Sequence, residues 1–252
     1  MTYCVAVAVK EGLVFVSDSR TNAGVDHIST YSKITLFGTP GESQFILLTS
    51  GNLATSQAVI SHLKRDINEK TPINLLTAKR MSEAAEYLGD ISRFHQEKHG
   101  GGSTFESNFI LGGQIAGGRQ KVMMVYSQGN HITTSSGTPY LQIGESKYGK
   151  PILDRIIQSD TKLDTATLCA LVSMDSTMRS NLTVGPPIDI VVYRKNSFCI
   201  ENRYHLEEDS EYLRELRSLW DTRLKDAFLG LPRIEWSKAR VKESDEQNQS
   251  SL

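Results

Sequence analysis

The sequence predicts an α+β fold, a four-layer αββα sandwich followed by a C-terminal helix. Its periodic segments come in the order strands, two helices, strands, two helices, strands. Two antiparallel sheets packed face to face, each covered outside by a helix pair, satisfy this order and bury every apolar face. The chain has 252 residues, 38% of them hydrophobic, which is enough for one large core.

The first four strand-like segments are joined by short turns. Tyr3–Val9 and Leu13–Ser17 alternate or are wholly apolar and flank a Glu-Gly turn, which indicates a β-hairpin. Lys33–Phe37 and Gln44–Thr49 flank a turn that contains glycine and proline. We expect these four segments to form the first antiparallel sheet.

The spacing of apolar residues then becomes helical. Asn52 is a plausible N-cap for a first helix, and a second helix is predicted over Leu75–Gln96. A glycine run at 100–102 ends that helix. The second set of antiparallel strands is predicted at Ser107–Ile115, Lys121–Tyr126 and His131–Ser135.

Two further helices and two strands close the sandwich. The helices fit Glu145–Gln158 and Asp164–Arg179, and the strands fit Ile188–Arg194 and Ser197–Glu201. Beyond them, an apolar stripe predicts a helix over Glu207–Leu229 that must cover either this subunit's own flank or a neighbouring subunit. We therefore divide the chain into a sandwich domain (2–203), a helical extension (204–236) and a disordered polar tail (237–252).

Composition excludes several classes of partner. The formal net charge is −1 and there is no long basic run, which argues against nucleic acid or an anionic membrane as a partner. The N-terminus does not resemble a signal peptide and no segment is long and apolar enough to span a bilayer, so we predict a cytoplasmic protein.

No metal or cofactor site is expected. The three cysteines lie in apolar segments without paired spacing, and we interpret them as buried apolar residues. His95 and His99 are separated by Gln96 and Glu97, which does not match the His-Glu-x-x-His order of zinc proteases, so we place them on the surface. No Gly-x-Ser-x-Gly nucleophile motif occurs.

Thr2 is the strongest candidate for chemistry. If Met1 is removed, Thr2 carries a hydroxyl nucleophile and a free amine, and that amine can serve as the base. Asp18 ends the second predicted strand and Lys33 begins the third, so their side chains can meet under the end of the first strand. A nearby ammonium keeps the threonine amine unprotonated at neutral pH. Gly51 stands before a helix N-terminus and is a candidate oxyanion donor.

These residues carry a family resemblance. Thr2, the run Ser17-Asp18-Ser19-Arg20-Thr21-Asn22-Ala23-Gly24, Lys33, Ser50-Gly51 and Met178-Arg179 resemble a proteasome β-subunit, and more closely the bacterial Anbu (ancestral β-subunit) proteins. The resemblance extends from Thr2 to about Arg203. It implies an N-terminal nucleophile hydrolase fold, with Thr2 as nucleophile, Asp18 and Lys33 as its electrostatic partners and the Gly51 N–H as oxyanion donor.

The chain departs from the proteasome pattern around the threonine amine. The position of a serine in proteasome β-subunits is taken by Glu145, followed by Ser146, and Ser180 replaces an aspartate after Arg179. Thr183 replaces a supporting serine. We expect these five residues to be supporting groups. Arg179 is expected to tie its helix to the sheet, and Asp175 and Asp189 to have structural roles.

The leading functional hypothesis is a threonine-type peptidase or amidase that acts in a homo-oligomer. The resemblance implies a self-assembly of about hexamer to dodecamer size, either a ring or an open helix, because repeated heterologous contacts give both. Two alternatives stay open: a proteasome-like assembly that is catalytically weak or silent, and an amidase that acts on small molecules.

Overall fold

The computed structural model describes residues 2–22, 28–98 and 102–234, with the side chains of 22, 28 and 29 excepted. Within them the predicted four-layer sandwich is confirmed. The strands are β1 (Tyr3–Val9), β2 (Gly12–Asp18), β3 (Arg20–Asn22), β4 (Ile28–Thr30), β5 (Ile34–Thr39), β6 (Ser43–Gly51), β7 (Ser107–Ile115), β8 (Lys121–Val125), β9 (His131–Thr133), β10 (Tyr140–Gly144), β11 (Ile188–Arg194) and β12 (Asn202–Leu206). The helices are α1 (Leu53–Asn68), α2 (Met81–Glu97), α3 (Lys150–Ile156), α4 (Leu163–Ser180) and α5 (Glu211–Leu229).

Two five-stranded antiparallel sheets form the inner layers. The first has the order β10-β1-β2-β11-β12, and the second has the order β5-β6-β7-β8-β9. Three hydrophobic clusters separate the four layers: one lies between the first sheet and α3–α4, one between the second sheet and α1–α2, and one between the sheets. Phe15 on β2 and Ile46 on β6 belong to the cluster between the sheets.

The prediction that the first four strands share a sheet is wrong. The β1–β2 hairpin belongs to the first sheet and the β5–β6 hairpin to the second, and β2 pairs with β11 instead of β5. Every residue of β2 is buried, so this strand needs a partner on each side and a covering layer on each face. In the segment of the chain between β2 and β5 there is a short hairpin, β3–β4, which was not predicted.

Several elements differ from the predicted ones. Strand β10 was missed, and α3 begins at Lys150 instead of Glu145, with a proline in its first turn. The last strand is Asn202–Leu206 instead of Ser197–Glu201, because positive φ at Asn196 and Phe198 makes a turn there. The second helix begins at Met81, after a separate 3-10 turn.

Helix α5 packs on α4, so the extension covers the flank of its own subunit. Leu213 is buried in the cluster under α4, and Arg217 Nε donates to Asp175 Oδ1 over 2.8 Å. Arg179, predicted to tie α4 to the sheet, instead donates to Asp221 of α5 over 2.5 Å. Helix α5 still exposes Leu219, Leu224, Phe228 and Leu229.

Of the remaining predictions, some are confirmed, one is wrong and some concern residues outside the described ranges. Asn52 caps α1 as predicted, accepting from Thr55 N. Cys4 and Cys169 are buried as predicted, but Cys199 is exposed, because it lies in the turn before β12. Met1, His99 and the predicted tail at 237–252 lie outside the described residues. Strand β12 spans the predicted domain boundary at 203/204, and the division into domains stays a prediction.

Candidate active site

The register of the β1–β2 hairpin places the start of the chain over Asp18. Cys4 pairs with Ser17, and at the next position Tyr3 N donates to Asp18 Oδ1 over 3.0 Å. Lys33, just before β5, donates from Nζ to the same oxygen over 2.7 Å and to the carbonyl of Arg20 over 2.8 Å. The three segments that carry Tyr3, Asp18 and Lys33 therefore meet at one carboxylate, directly beside Thr2.

This ion pair is buried. The side chains of Lys33 and Asp18 are 7% and 0% exposed. Burial raises the pKa of Asp18, while the Lys33 ammonium and the N–H groups of Tyr3 and Gly185 oppose that rise. The carboxylate and the ammonium each need the other at this depth, since an unpaired buried charge is costly.

A cleft of about 340 Å³ opens above the pair. The residues that line it are Thr2, Arg20, Thr21, Lys33, Thr49, Ser50, Gly51, Leu53, Ser56, Asn108 and Gly144. The predicted nucleophile Thr2, its predicted partner Lys33 and the predicted oxyanion donor Gly51 thus line one cleft. Asp18, the fourth predicted residue, is buried beneath it and bonds to Lys33. Eight of the eleven lining residues have polar side chains, which can fix the orientation of a ligand by hydrogen bonds.

Two glycines shape the cleft through their backbones. Gly51 ends β6 with φ +98°, and a Cβ there would overlap the carbonyl of Glu106. Gly144 ends β10 with φ +83°, and a Cβ there would overlap the carbonyl of Thr2. Both positions combine the left-handed backbone with a close approach that only glycine allows.

The carbonyl of Thr2 is held by the loop after β10. Glu145 N donates to it over 2.7 Å. The Glu145 side chain accepts from Asn181 Nδ2 over 3.3 Å, and Asn181 Oδ1 accepts from Thr183 N and Thr183 Oγ1 over 3.0 and 2.6 Å. Asn181, which sequence reasoning missed as a site residue, therefore connects the predicted supporting groups Glu145 and Thr183.

Comparison with solved structures decides the family. The chain is similar to Anbu (ancestral beta-subunit) from Yersinia bercovieri, with 47% identity over 92% of this chain and 98% of that chain, and a TM-score of 0.89. The chain belongs to the Anbu family. It is also similar to an Anbu (Gly-1) mutant from Hyphomicrobium sp. strain MC1, with 44% identity over 93% of this chain and 100% of that chain, and a TM-score of 0.89.

A third Anbu relative is known as an assembly. The structure described as the helical assembly of the Anbu complex from Pseudomonas aeruginosa is 44% identical over 93% of this chain and 99% of that chain, with a TM-score of 0.88. No protein-family model and no curated protein matches the chain. The fold of this Anbu chain is accordingly that of the N-terminal nucleophile hydrolases.

None of the five predicted supporting residues of this Anbu chain lines the cleft, and three of them also lie outside the Glu145–Asn181–Thr183 network. Ser146 is exposed in the loop after β10, and Ser180 is the exposed last residue of α4. The Arg179 guanidinium contacts α5, as described above. The cleft instead includes Arg20, Thr21 and Asn108. The first two lie in the Ser17–Gly24 run of the resemblance, whereas Asn108 carries no signal in the sequence.

Other chemically suggestive features of the Anbu chain are less suited to catalysis. A cavity of about 490 Å³ between α3, α4 and α5 has an almost wholly apolar lining, and burial raises the pKa of its Cys169 thiol to about 12, which keeps that thiol protonated. His95 bonds to His62 across α1 and α2, with Nε2 and Nδ1 3.0 Å apart. Over the described ranges there is no group of three potential metal ligands and no helix with the length and apolarity to cross a membrane.

Proposed function

We propose that this Anbu protein is a threonine-type N-terminal nucleophile hydrolase that cleaves peptide or related amide bonds in the cytoplasm, inside a homo-oligomer. The observation that carries the proposal is the buried Lys33–Asp18 pair beneath a cleft that contains Thr2 and Gly51. Lys33 is buried, and its Nζ lies 2.7 Å from Asp18 Oδ1. It therefore supplies a fixed positive charge next to Thr2.

The mechanism requires that Met1 be removed. The nitrogen of Thr2 is then an amine, and the Lys33 ammonium disfavours its protonation. As Thr2 Oγ1 attacks the carbonyl carbon of the substrate, the amine takes the hydroxyl proton. The negative charge that develops on the substrate oxygen is stabilised by the Gly51 N–H.

The intermediate then collapses with loss of the amine half of the substrate. The Thr2 ammonium returns its proton to the leaving nitrogen as the C–N bond breaks, and an ester joins the acyl half to Thr2 Oγ1. Water attacks this ester, with the amine again as base, and the C–O bond breaks to release the carboxylic acid and restore Thr2. These steps use the groups of the chain and water.

Self-association is part of the proposal. A relative that is 44% identical over 93% of this chain is described as a helical assembly. Helix α5 leaves several large apolar residues exposed, which favours a contact with a second copy. We expect the active sites of the oligomer to open onto a space that limits access to them.

The test is intact-mass spectrometry before and after exposure to a peptide epoxyketone, which reacts with both the hydroxyl and the free amine of a terminal threonine. We expect a chain that lacks Met1 and gains one adduct. Thr2→Ala should give no adduct and no hydrolysis of peptides, because the nucleophile is gone. Thr2→Ser is the matched control, since it keeps both groups and should still form the adduct.

Two results would contradict the proposal. If Met1 is retained and no adduct forms, the protein is a catalytically silent assembly, since an amide nitrogen cannot accept the proton. If an adduct forms but peptides are not turned over while small amides are, the small-molecule amidase is the correct function.

A further inference from the structure

Asp189 is a buried carboxylate that the proposed mechanism does not use. It lies in β11, where it pairs with Ser17 of β2 on one side and with His205 of β12 on the other. It is 1% exposed. A buried carboxylate is costly unless it is fully bonded, so its partners indicate what it does.

One oxygen of Asp189 joins the two segments that carry the ion pair. Ser19 Oγ and Ser32 Oγ each donate to Asp189 Oδ2 over 2.8 Å. Ser19 is the residue after Asp18, and Ser32 is the residue before Lys33. The carboxylate of Asp189 therefore fixes the chain neighbours of both members of the pair.

The other oxygen is held from the exposed edge of the sheet. His205 Nδ1 lies 2.7 Å from Asp189 Oδ1, and His205 Nε2 lies 3.2 Å from Glu207 Oε1. Burial raises the pKa of Asp189, but the hydrogen bonds from His205, Ser32 and Ser19 outweigh it and hold that pKa below its usual value. The Asp189 carboxylate in turn raises the pKa of His205.

Among the described residues, no strand ladder pairs Asp18 directly with Lys33, so side-chain contacts add to the positioning that the backbone gives this ion pair. Asp18 ends β2 in the first sheet and Lys33 precedes β5 in the second, and the hairpin β3–β4 joins their segments by pairing Arg20 with Thr30. The backbone contributes the bond from Tyr31 N to the carbonyl of Ser19 over 2.8 Å. Small shifts of either segment would change the distance between the Lys33 ammonium and the Thr2 amine.

We propose that Asp189 is a positioning residue for the Lys33–Asp18 pair: it holds Ser19 and Ser32 on one oxygen, and His205 fixes its other oxygen. This inference rests on the proposed function of that pair. It assigns the Asp189–His205 contact a role in catalysis although neither residue lines the cleft or touches the substrate.

The test compares Asp189→Asn with Asp175→Asn. Asp175 is the matched control because it is also buried and also pairs with a basic residue on the surface, Arg217, but it contacts α5 instead of the Asp18 and Lys33 segments. For Asp189→Asn we expect the maximal rate of epoxyketone modification to fall by about tenfold or more, because a small misplacement of reacting groups has effects of this order. The half-saturating concentration should change by less than about twofold, since binding contacts are retained.

A second readout does not depend on activity. The NMR signal of the Lys33 Cε, assigned with Lys33→Arg, should shift in Asp189→Asn and stay in place in Asp175→Asn, whose effect should be confined to thermal stability. If Asp189→Asn does not fold, the double variant Ser19→Ala with Ser32→Ala replaces it. This variant removes the two hydroxyl donors to Asp189 Oδ2 and keeps the carboxylate.

The outcomes separate the two proposals. An unchanged maximal rate together with an unchanged Lys33 signal overturns the role of Asp189. If the wild-type protein forms no adduct, the proposed function fails, and the Lys33 signal alone then decides: a shift in Asp189→Asn supports the positioning of the pair, and no shift overturns it.

Discussion

At the scale of single residues, the interaction that matters most is the Asp18–Lys33 ion pair. Both side chains are withdrawn from water, and their nitrogen and oxygen lie 2.7 Å apart. Attraction at this distance offsets a desolvation cost of several kcal/mol for each ion, so the pair adds little net stability while both members are present. The ion pair instead keeps the positive charge of Lys33 beside Thr2, as the proposed mechanism requires.

Removal of one member should be strongly destabilising. Asp18→Ala leaves the Lys33 ammonium buried with the Arg20 carbonyl as its remaining described partner, and we expect the free energy of unfolding to fall by about 3–5 kcal/mol. Urea denaturation measures this change. Asp221→Ala is the control, since it breaks the exposed pair with Arg179 and should cost much less, because solvent screens exposed ion pairs. Equal losses in the two variants would contradict the burial argument.

The sequence indicated this pair from position alone. Asp18 and Lys33 are at strand ends around one corner, and the hairpin register places Tyr3 N on the same carboxylate. Asn181 was not predictable in the same way, because its amide joins Glu145 to Thr183 only after the loops that follow β10 and α4 have come together. The local sequence around Asn181 does not indicate that these two loops come into contact.

At the scale of elements, the edge strand β12 presents a histidine whose charge depends on its neighbour. The carboxylate of Asp189 on β11 raises the pKa of His205 above 6.5, with a further contribution from Glu207. A group whose pKa is raised on folding stabilises the fold fully below its unfolded pKa and loses that contribution as the pH rises through its folded pKa. The Asp189 carboxylate, whose pKa is lowered, contributes above its own unfolded value of 3.8.

The contribution of the His205–Asp189 pair to stability therefore depends on pH in a predictable way. We expect His205→Gln to destabilise the protein near about pH 5.5, and the difference from wild type to shrink as the pH rises toward about 9, because the wild-type histidine is then neutral. The urea midpoint of both proteins at the two pH values measures this. His131→Gln, on β9 of the other sheet, is the control. A difference that grows with pH would show that Asp189 does not hold the histidine in its charged form.

Elements were predictable where local signals were strong. The Asn52 cap and the strands Tyr3–Val9, Ser107–Ile115 and Ile188–Arg194 follow directly from capping chemistry and runs of strand-forming residues. Strand β10 was missed because it is five residues long and directly precedes a segment that looks helical. Its position is decided by pairing with β1, a contact between residues more than a hundred positions apart.

At the scale of the whole molecule, one chain does not cover all of its apolar surface. Helix α5 buries Leu213 against α4, but Phe228 and Leu229 on its last turn are 72% and 70% exposed. Contiguous exposed apolar patches mark contacts with other proteins, and these neighbouring side chains favour such a contact. We infer that further copies of this chain provide that contact, as proposed above.

This inference predicts a large particle. Size-exclusion chromatography with light scattering should give a mass of about six to twelve chains, since a contact between two different surfaces repeats until a ring closes or a helix grows. Phe228→Glu with Leu229→Glu should reduce that mass, because the charges cannot be buried at a dry contact. Thr2→Ala should leave it unchanged. A monomer for the unmodified chain at micromolar concentration would refute the assembly.

The sequence by itself determined the fold class, the cap of α1, and the position of Asp18 and Lys33 at strand ends near Thr2, because these depend on periodicity, on local hydrogen bonding and on residue types at strand ends. Only the tertiary structure decided which strands share a sheet. Nothing in the local sequence tells β2 whether its next partner is β5 or β11. Burial of β2 on both faces settles that choice, and with it the meeting of Asp18, Lys33 and Asp189.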